Sequence, residues 1–232
     1  MNTRLSYLRF VSVLVLVFGL LPVGATQAAR PAEFLLDLPA TVYVDDNWLG
    51  TLVGTDPDGD GPATNFGGDA FATIHEGIAG VLSGGTVQVA AGNYSESDLL
   101  INKPLTLAGA GEGLTIIGPA VADAHQCNPL TSAHQGIIVA AHDVTLQGFT
   151  LDGNADGSLA GDHHYRMGIL THYLSASYNN LSVQDVTIQH VWYRGIVVRA
   201  MSGGTSSGHQ VINVTVDDLA GCTLAGETRG QA

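Results

Sequence analysis

Val144-Thr145-Leu146 is one member of a set that recurs along the chain: Leu105-Thr106-Leu107 stands before it, and Val186-Thr187-Ile188 and Val214-Thr215-Val216 follow it. Between these segments runs a second series, Gly136-Ile137-Ile138-Val139, Gly168-Ile169-Leu170-Thr171 and Gly195-Ile196-Val197-Val198. The spacings within each series are too long for hairpins and too self-similar for a sandwich. A short apolar strand that keeps returning, punctuated by Gly and Asn turns, reads as a solenoid whose coils stack in parallel. On that reading Val144, Val186 and Val214 pile up inside, and Thr145, Thr187 and Thr215 form an outward ladder on one sheet. The unequal spacings place inserted loops at 120–135 and 153–167, side by side on one edge.

Outward from the repeats, the period of two extends back to Thr86 through Val87-Gln88-Val89, Leu99-Leu100-Ile101 and Thr115-Ile116-Ile117. Before that, Phe71, Ile74, Ile78, Val81 and Leu82 recur at helical spacing, which predicts an amphipathic helix of about three turns with Asp69 as its cap and Gly84-Gly85 as its stop. Such a helix would cover the first coil, whose unpaired edge otherwise invites aggregation. Thr41-Val42-Tyr43-Val44 alternates as a strand, and 45–69 is a Gly-, Asp- and Pro-rich loop. After Leu219 the chain is Gly-rich and weakly apolar without a matching cover, so the domain from 41 to 232 is expected to be incomplete at its C-terminal end.

The first 29 residues carry a positive start (Arg4, Arg9), an apolar run from Val11 to Leu21 and small residues from Ala25 to Ala29, the pattern of an export signal, with 30–40 as connector. Secretion or display at the cell surface follows, with no membrane insertion once the signal is removed. Removing Arg4 and Arg9 from the 8 Lys and Arg leaves 6 against 21 Asp and Glu, a formal charge of −15. A surface of that sign repels nucleic acid and anionic lipid. It also disfavours an acidic polysaccharide unless a cation bridges the two. Cys127 and Cys222 fall about three coils apart, roughly 14 Å at the strand spacing, beyond the ~7 Å a disulfide spans. Both are expected to be unpaired.

Phe71-Ala72-Thr73-Ile74-His75-Glu76-Gly77-Ile78, Gly84-Gly85-Thr86-Val87-Gln88-Val89-Ala90-Ala91-Gly92-Asn93-Tyr94-Ser95-Glu96 and Lys103-Pro104-Leu105-Thr106-Leu107-Ala108-Gly109-Ala110-Gly111 closely resemble the opening of right-handed parallel β-helix proteins of the pectin-lyase-like superfamily. The resemblance covers Tyr43 to Gly118 and, more loosely, the repeats to about Leu219. It implies an all-β fold, a right-handed parallel β-helix with an N-terminal capping helix. It implies much less about activity, because that superfamily mixes pectate lyases, methylesterases and polygalacturonases with surface proteins. The methylesterase segment Gly-x-Val-Asp-Phe-Ile-Phe-Gly has no counterpart after Asp143. Asp217-Asp218 lacks the Gly-His-Gly and Arg-Ile-Lys companions of a polygalacturonase, and no acidic ladder faces Arg194 or Arg199 as in a pectate lyase. No catalytic residue carries over.

Four groups of residues remain as candidates. Asp56-Pro57-Asp58-Gly59-Asp60-Gly61 has alternating acids and a Gly at the sixth position, the start of a calcium loop, although position twelve is Gly67 where a bidentate Glu belongs. Calcium through Asp56, Asp58 and Asp60 is the one cofactor implied. The two edge loops gather Asp123, His125, His134, Asp156, Asp162, His163, His164 and Arg166, of which His163, His164 and Arg166, with Tyr193, are candidates for contact with a glycan. Ala140, His172 and Arg199 stand four residues after successive repeat glycines and should stack, so His172 as base with Arg194 or Arg199 as the stabilising cation is the arrangement a lyase would use. Tyr165, Tyr173, Tyr178, Trp192 and Tyr193 lie in the same half and offer sugar-stacking rings. The expected function is a carbohydrate-interaction or surface-adhesion module acting on a polysaccharide or cell-surface glycan without catalysis. The alternatives are a polysaccharide lyase or hydrolase and a structural spacer of a larger surface protein.

Overall fold

In a computed structural model of the chain the described residues are 38–121, 134–155, 164–172, 174–219, 222–224 and 227–229. The export signal, Asp123, His125, Cys127, Asp156, Asp162, His163 and Tyr173 lie outside them, as does the side chain of Cys222, and with it the expectation about the two cysteines. Among the described residues the fold is predominantly β, built of parallel strands with one α-helix.

In chain order the elements are β1 (Thr41–Val44), a 3-10 turn (Asp46–Trp48), β2 (Ala70–Phe71), α1 (Ile74–Gly80), β3 (Thr86–Val89), β4 (Gly92–Ser95), β5 (Leu99–Ile101), β6 (Leu105–Gly109), β7 (Thr115–Gly118), β8 (Gln135–Val139), β9 (Val144–Asp152), β10 (Tyr165–Thr171), β11 (Ser182–Gln189), β12 (Val191–Val197), β13 (Gln210–Val216), β14 (Cys222–Leu224) and β15 (Glu227–Arg229). One parallel sheet runs β13-β11-β9-β6-β3-β1-β2, with β4 and β7 attached through β9; a second runs β12-β10-β8-β5. From β3 onward the chain passes from one sheet to the other and back, adding neighbours in order. β14 and β15 pair antiparallel. Alternation does what the period predicts: Val42 and Val44, Val87 and Val89, Leu105 and Leu107, Val144 and Leu146 on the first sheet, and Leu99, Ile101, Ile137, Val139 and Ile169 on the second, are buried in one core. Each such side chain contributes about 1.5–3 kcal/mol on burial.

The Gly-Ile series stacks as read, Ile169 lying between Ile137 and Ile196. The Val-Thr series does not. Leu105 pairs with Val144 and Val186 with Val214, but Val186 lies against Phe149, not Val144. The expected single column is therefore two, and so is the threonine ladder: Thr106 beside Thr145, and Thr150 beside Thr187 beside Thr215. The reason is that β9 carries the motif twice, as Val144-Thr145-Leu146 and as Phe149-Thr150-Leu151, on the two sides of Gly148. Gly148, Asp185 and Asn213 adopt left-handed backbone (φ 71, 50 and 50) and occupy the same register position on β9, β11 and β13. Each inserts one residue at which the alternation restarts, so that Leu146 and Phe149, three apart, both point inward.

A second left-handed column, Asp143, Asn180 and Gly208 (φ 55, 59 and 75), precedes the same strands. Asn and Asp are the non-glycine residues that best tolerate this conformation, and here they also bond along the stack: Asn180 Nδ2 donates to Asp143 (2.7 Å) and Asn213 Nδ2 to Asp185 (2.6 Å).

The helix is shorter than its apolar spacing predicts. It starts after Thr73, which takes the cap assigned to Asp69: Thr73 Oγ1 accepts from Glu76 N and donates to Glu76 Oε2, a reciprocal cap. Asp69 instead accepts from Thr64 and Asn65. Phe71 belongs to β2, and Val81 is already extended. Lys103 Nζ donates to the Ala79 and Val81 carbonyls and so satisfies the helix end. Ile74, Gly77 and Ile78 are buried, and the helix lies against β1, β2, β3 and β5. β4 is an unexpected strand, since Gly92-Asn93 reads as a turn; parallel pairing with β7 and the buried Tyr94, whose hydroxyl donates to the Val44 and Ala90 carbonyls, override that local preference.

Candidate functional site

The passage from the first sheet to the second is made repeatedly at one corner: 96–98 between β4 and β5, 119–134 between β7 and β8, 153–164 between β9 and β10, and His190 alone between β11 and β12. Parallel pairing of the flanking strands stacks the described ends of these passages, so residues far apart in sequence meet. Four acids and three histidines make close contacts there. Glu96, 8% exposed, accepts from the backbone N–H of Ile74 (2.6 Å) and His75 (2.9 Å) and contacts His75 Nδ1 at 2.6 Å. Asp98 accepts from Gln135 N (2.8 Å) and contacts His134 Nδ1 at 2.7 Å. Asp152 accepts from Asn154 N and Gln189 Nε2 and contacts His190 Nδ1 at 2.6 Å, while His190 Nε2 lies 3.4 Å from Asp218. The Glu96 hydrogen bond raises His75 above its ordinary pKa against the opposing effect of burial. Tyr165, fully buried, donates its hydroxyl to the Glu96 carbonyl, and burial pushes its pKa well up.

Further along the same corner lies a group of cations and rings that holds two of the four described Lys and Arg side chains. The Arg166 guanidinium lies over Tyr193 (5.5 Å) and beside Trp192 (5.9 Å), and Arg194 stacks over Tyr193 at 4.5 Å. Trp192 is 3% exposed, and its Nε1, like the buried Nε of Arg166, has no hydrogen-bond partner among the described residues. Arg166 N donates to the His134 carbonyl (2.9 Å), which ties β10 to the head of β8. Among described Lys and Arg side chains only Lys103 and Arg199 lie elsewhere.

Of the edge residues expected to gather, His134, His164 and Arg166 are described. His134 and Arg166 are joined as above, and His164 is fully buried, so it is no surface contact for a glycan. Tyr193 lies in the cluster. His172 and Arg199 do stack: their positions are adjacent in register and Thr171 Oγ1 accepts from Arg199 N (2.9 Å). Arg194, by contrast, pairs with Met167, five residues up the strand from His172, or roughly 16 Å, so those two cannot act on one sugar carbon. His172 Nδ1 is held by Ser175 Oγ at 2.8 Å.

Asp56 and Asp58 spend carboxylate oxygens on the loop itself, Asp56 accepting from Asp58 N and Gly59 N and Asp58 from Ala63 N. No group of three or more metal-ligating side chains placed to hold an ion occurs among the described residues. Asp98, Asp152 and His190 are what reasoning from sequence missed, and Asp218 enters that reasoning only as half of the Asp217-Asp218 pair. Each stands at the end of a strand or just beyond one, and their shared corner is visible only once the register is known. The chain matches no family model, no curated protein and no solved structure.

Proposed function

We propose that the chain is an exported right-handed parallel β-helix of the pectin-lyase-like kind that binds a polysaccharide or cell-surface glycan as an interaction or adhesion module, without catalysis. The observation that carries the reading is the Arg166–Tyr193–Arg194 stack beside Trp192, mounted on neighbouring strands β10 and β12. Two guanidinium groups over one ring, in a protein of formal charge −13, concentrate positive charge where the remainder repels anions. Planar guanidinium groups suit carboxylate geometry, so the glycan of choice carries uronate or other acidic sugars, and a bridging cation is not required.

The test is binding of the purified chain to a panel of acidic and neutral polysaccharides, with calcium and with chelator. Acidic glycans should bind in both conditions, and Arg194→Ala or Tyr193→Ala should weaken them about tenfold, in line with the loss of a desolvated cation–ring contact. Preference for neutral glycans, or indifference to both substitutions, overturns the reading. The adjacent His172 and Arg199 support a second reading, a polysaccharide lyase, which a rise in absorbance near 235 nm in the same tubes and its loss in His172→Ala would establish. Hydrolysis is read from release of reducing ends.

A further inference from the structure

The outer face of the first sheet carries a groove remote in sequence from the corner just described. Its floor is Tyr43 on β1 and Gln88 on β3, directly paired in register and both facing outward, beside Thr41. The 45–69 loop supplies the rest of the lining: Asp45, Trp48 from the 3-10 turn, then Pro57, Asp58 and Pro62. The volume is about 650 Å³, within the range of cavities that hold small organic ligands, about 300–1,000 Å³.

Three features define what fits. Tyr43 and Trp48 are half-buried rings, so a ligand meets two π systems. Asp45 and Asp58 each commit one oxygen to shaping the loop, Asp45 Oδ1 accepting from Asn47 N and Nδ2 and Asp58 Oδ2 from Ala63 N. Their second oxygens have no hydrogen-bond partner among the described residues. Finally, the sequence holds no Lys or Arg between Arg30 and Lys103, yet the loop that carries the two lining acids also carries Asp46, Asp56, Asp60 and Asp69. Lys103 is turned to the helix carbonyls of Ala79 and Val81. The groove lining thus carries two acids and no Lys or Arg, so its field is negative, and low-dielectric walls focus it. An uncharged ligand would leave that field unused; an anion would be repelled.

We propose that this groove binds an organic cation, its ammonium group placed against the Trp48 and Tyr43 rings and paired with Asp45 and Asp58. Ring faces with flanking carboxylates are the recognised chemistry for alkylated or sugar-borne ammonium. The two sources are a small alkylammonium and an amino sugar.

Calorimetric titration of the purified full chain with choline, with a glucosamine tetramer and with its fully N-acetylated counterpart separates them. One-to-one binding of the glucosamine tetramer alone assigns the amino sugar; binding of choline as well assigns the ammonium group itself; either upholds the site. Asp58→Asn keeps the oxygen that accepts from Ala63 but removes the charge, and should raise Kd about 3- to 30-fold, as should Trp48→Ala. Should Trp48→Ala fail to fold by circular dichroism, Trp48→Phe, which retains a ring, should retain binding and Asp58→Asn carries the test. Absence of heat with both cations, equal affinity for the N-acetylated tetramer, an equal response to calcium chloride at matched ionic strength, or no change in Asp58→Asn would overturn it.

Discussion

Gly77 lies on the buried face of α1, where an added Cβ would come within 2.6 Å of Val44 Cγ2 and 3.0 Å of Val87 Cγ1. Replacing glycine by alanine in an exposed helix adds about 1 kcal/mol of stability. Here both neighbours are stiff, fully buried β-branched residues, and overpacking costs about 1–3 kcal/mol. Gly77→Ala should therefore lower the urea midpoint instead of raising it. Two residues earlier in the same helix, His75 reports on the Glu96 contact. Its folded-state pKa is raised above 6.5 by the Glu96 hydrogen bond, so the protonated pair contributes in full below that pH, and the contribution is lost as the pH rises through the folded value. A ring titration followed by NMR should show a midpoint above 6.5. The stability advantage over His75→Gln should be larger near about pH 5.5 than near about pH 9. Neither behaviour is readable from the sequence, in which Gly77 is a poor helix former and His75 an unremarked polar residue, because the packing partners come from β1 and β3 and the acid from the passage between β4 and β5.

At the scale of the element, the corners carry the specificity. β9, β11 and β13 are each divided by a left-handed residue, and the stacked amide and carboxylate at Asn213 and Asp185 tie one division to the next. Asp185→Val places a β-branched residue at φ 50 and removes the acceptor, so it should destabilise by about 1–2 kcal/mol from backbone strain alone. Asp185→Gly relieves the strain while losing the bond, and urea unfolding should rank it between Val and the native residue. A Val variant as stable as the native chain would mean the corner is not strained. Strands with alternating apolar residues, β1, β3, β5, β6 and β7, were legible from period alone. β4 was not, because Gly92 and Asn93 favour turns and only pairing with β7 and the burial of Tyr94 make them a strand. The helix was legible as an element but not in its length, since Thr73 and Glu76 cap it within the apolar run that suggested a longer one.

Across the whole molecule each strand depends on the ones beside it, so position in the stack should set the cost of a cavity. Ile137, fully buried on β8 between β5 and β10, should cost about 2–5 kcal/mol when replaced by alanine. Val211, 55% exposed on β13 at the end of its sheet, pairs through Val183 with one strand among the described residues and should cost less than about 1 kcal/mol. Hydrogen exchange should likewise be slowest in β8 and β9 and fastest in β13. A flat profile along the stack would show that the sheets do not unfold by neighbour-dependent units. What the amino-acid pattern determined by itself is the class of fold: apolar residues at every second position, broken by Gly, Asn and Asp, demand strands with one face inward, and their recurrence demands that they lie parallel. What only the tertiary structure decided is the register and everything built on it. Val144-Thr145-Leu146 and Phe149-Thr150-Leu151 present the same pattern to a partner strand, so alternation cannot choose between them; stacking of the left-handed residues chooses. That choice brings Asp152 to His190, whereas the Gly-Ile register of the second sheet, already visible in the repeats, brings Arg166 to Tyr193 and separates His172 from Arg194, because a shift of a few residues along a strand moves a side chain by more than the reach of any hydrogen bond.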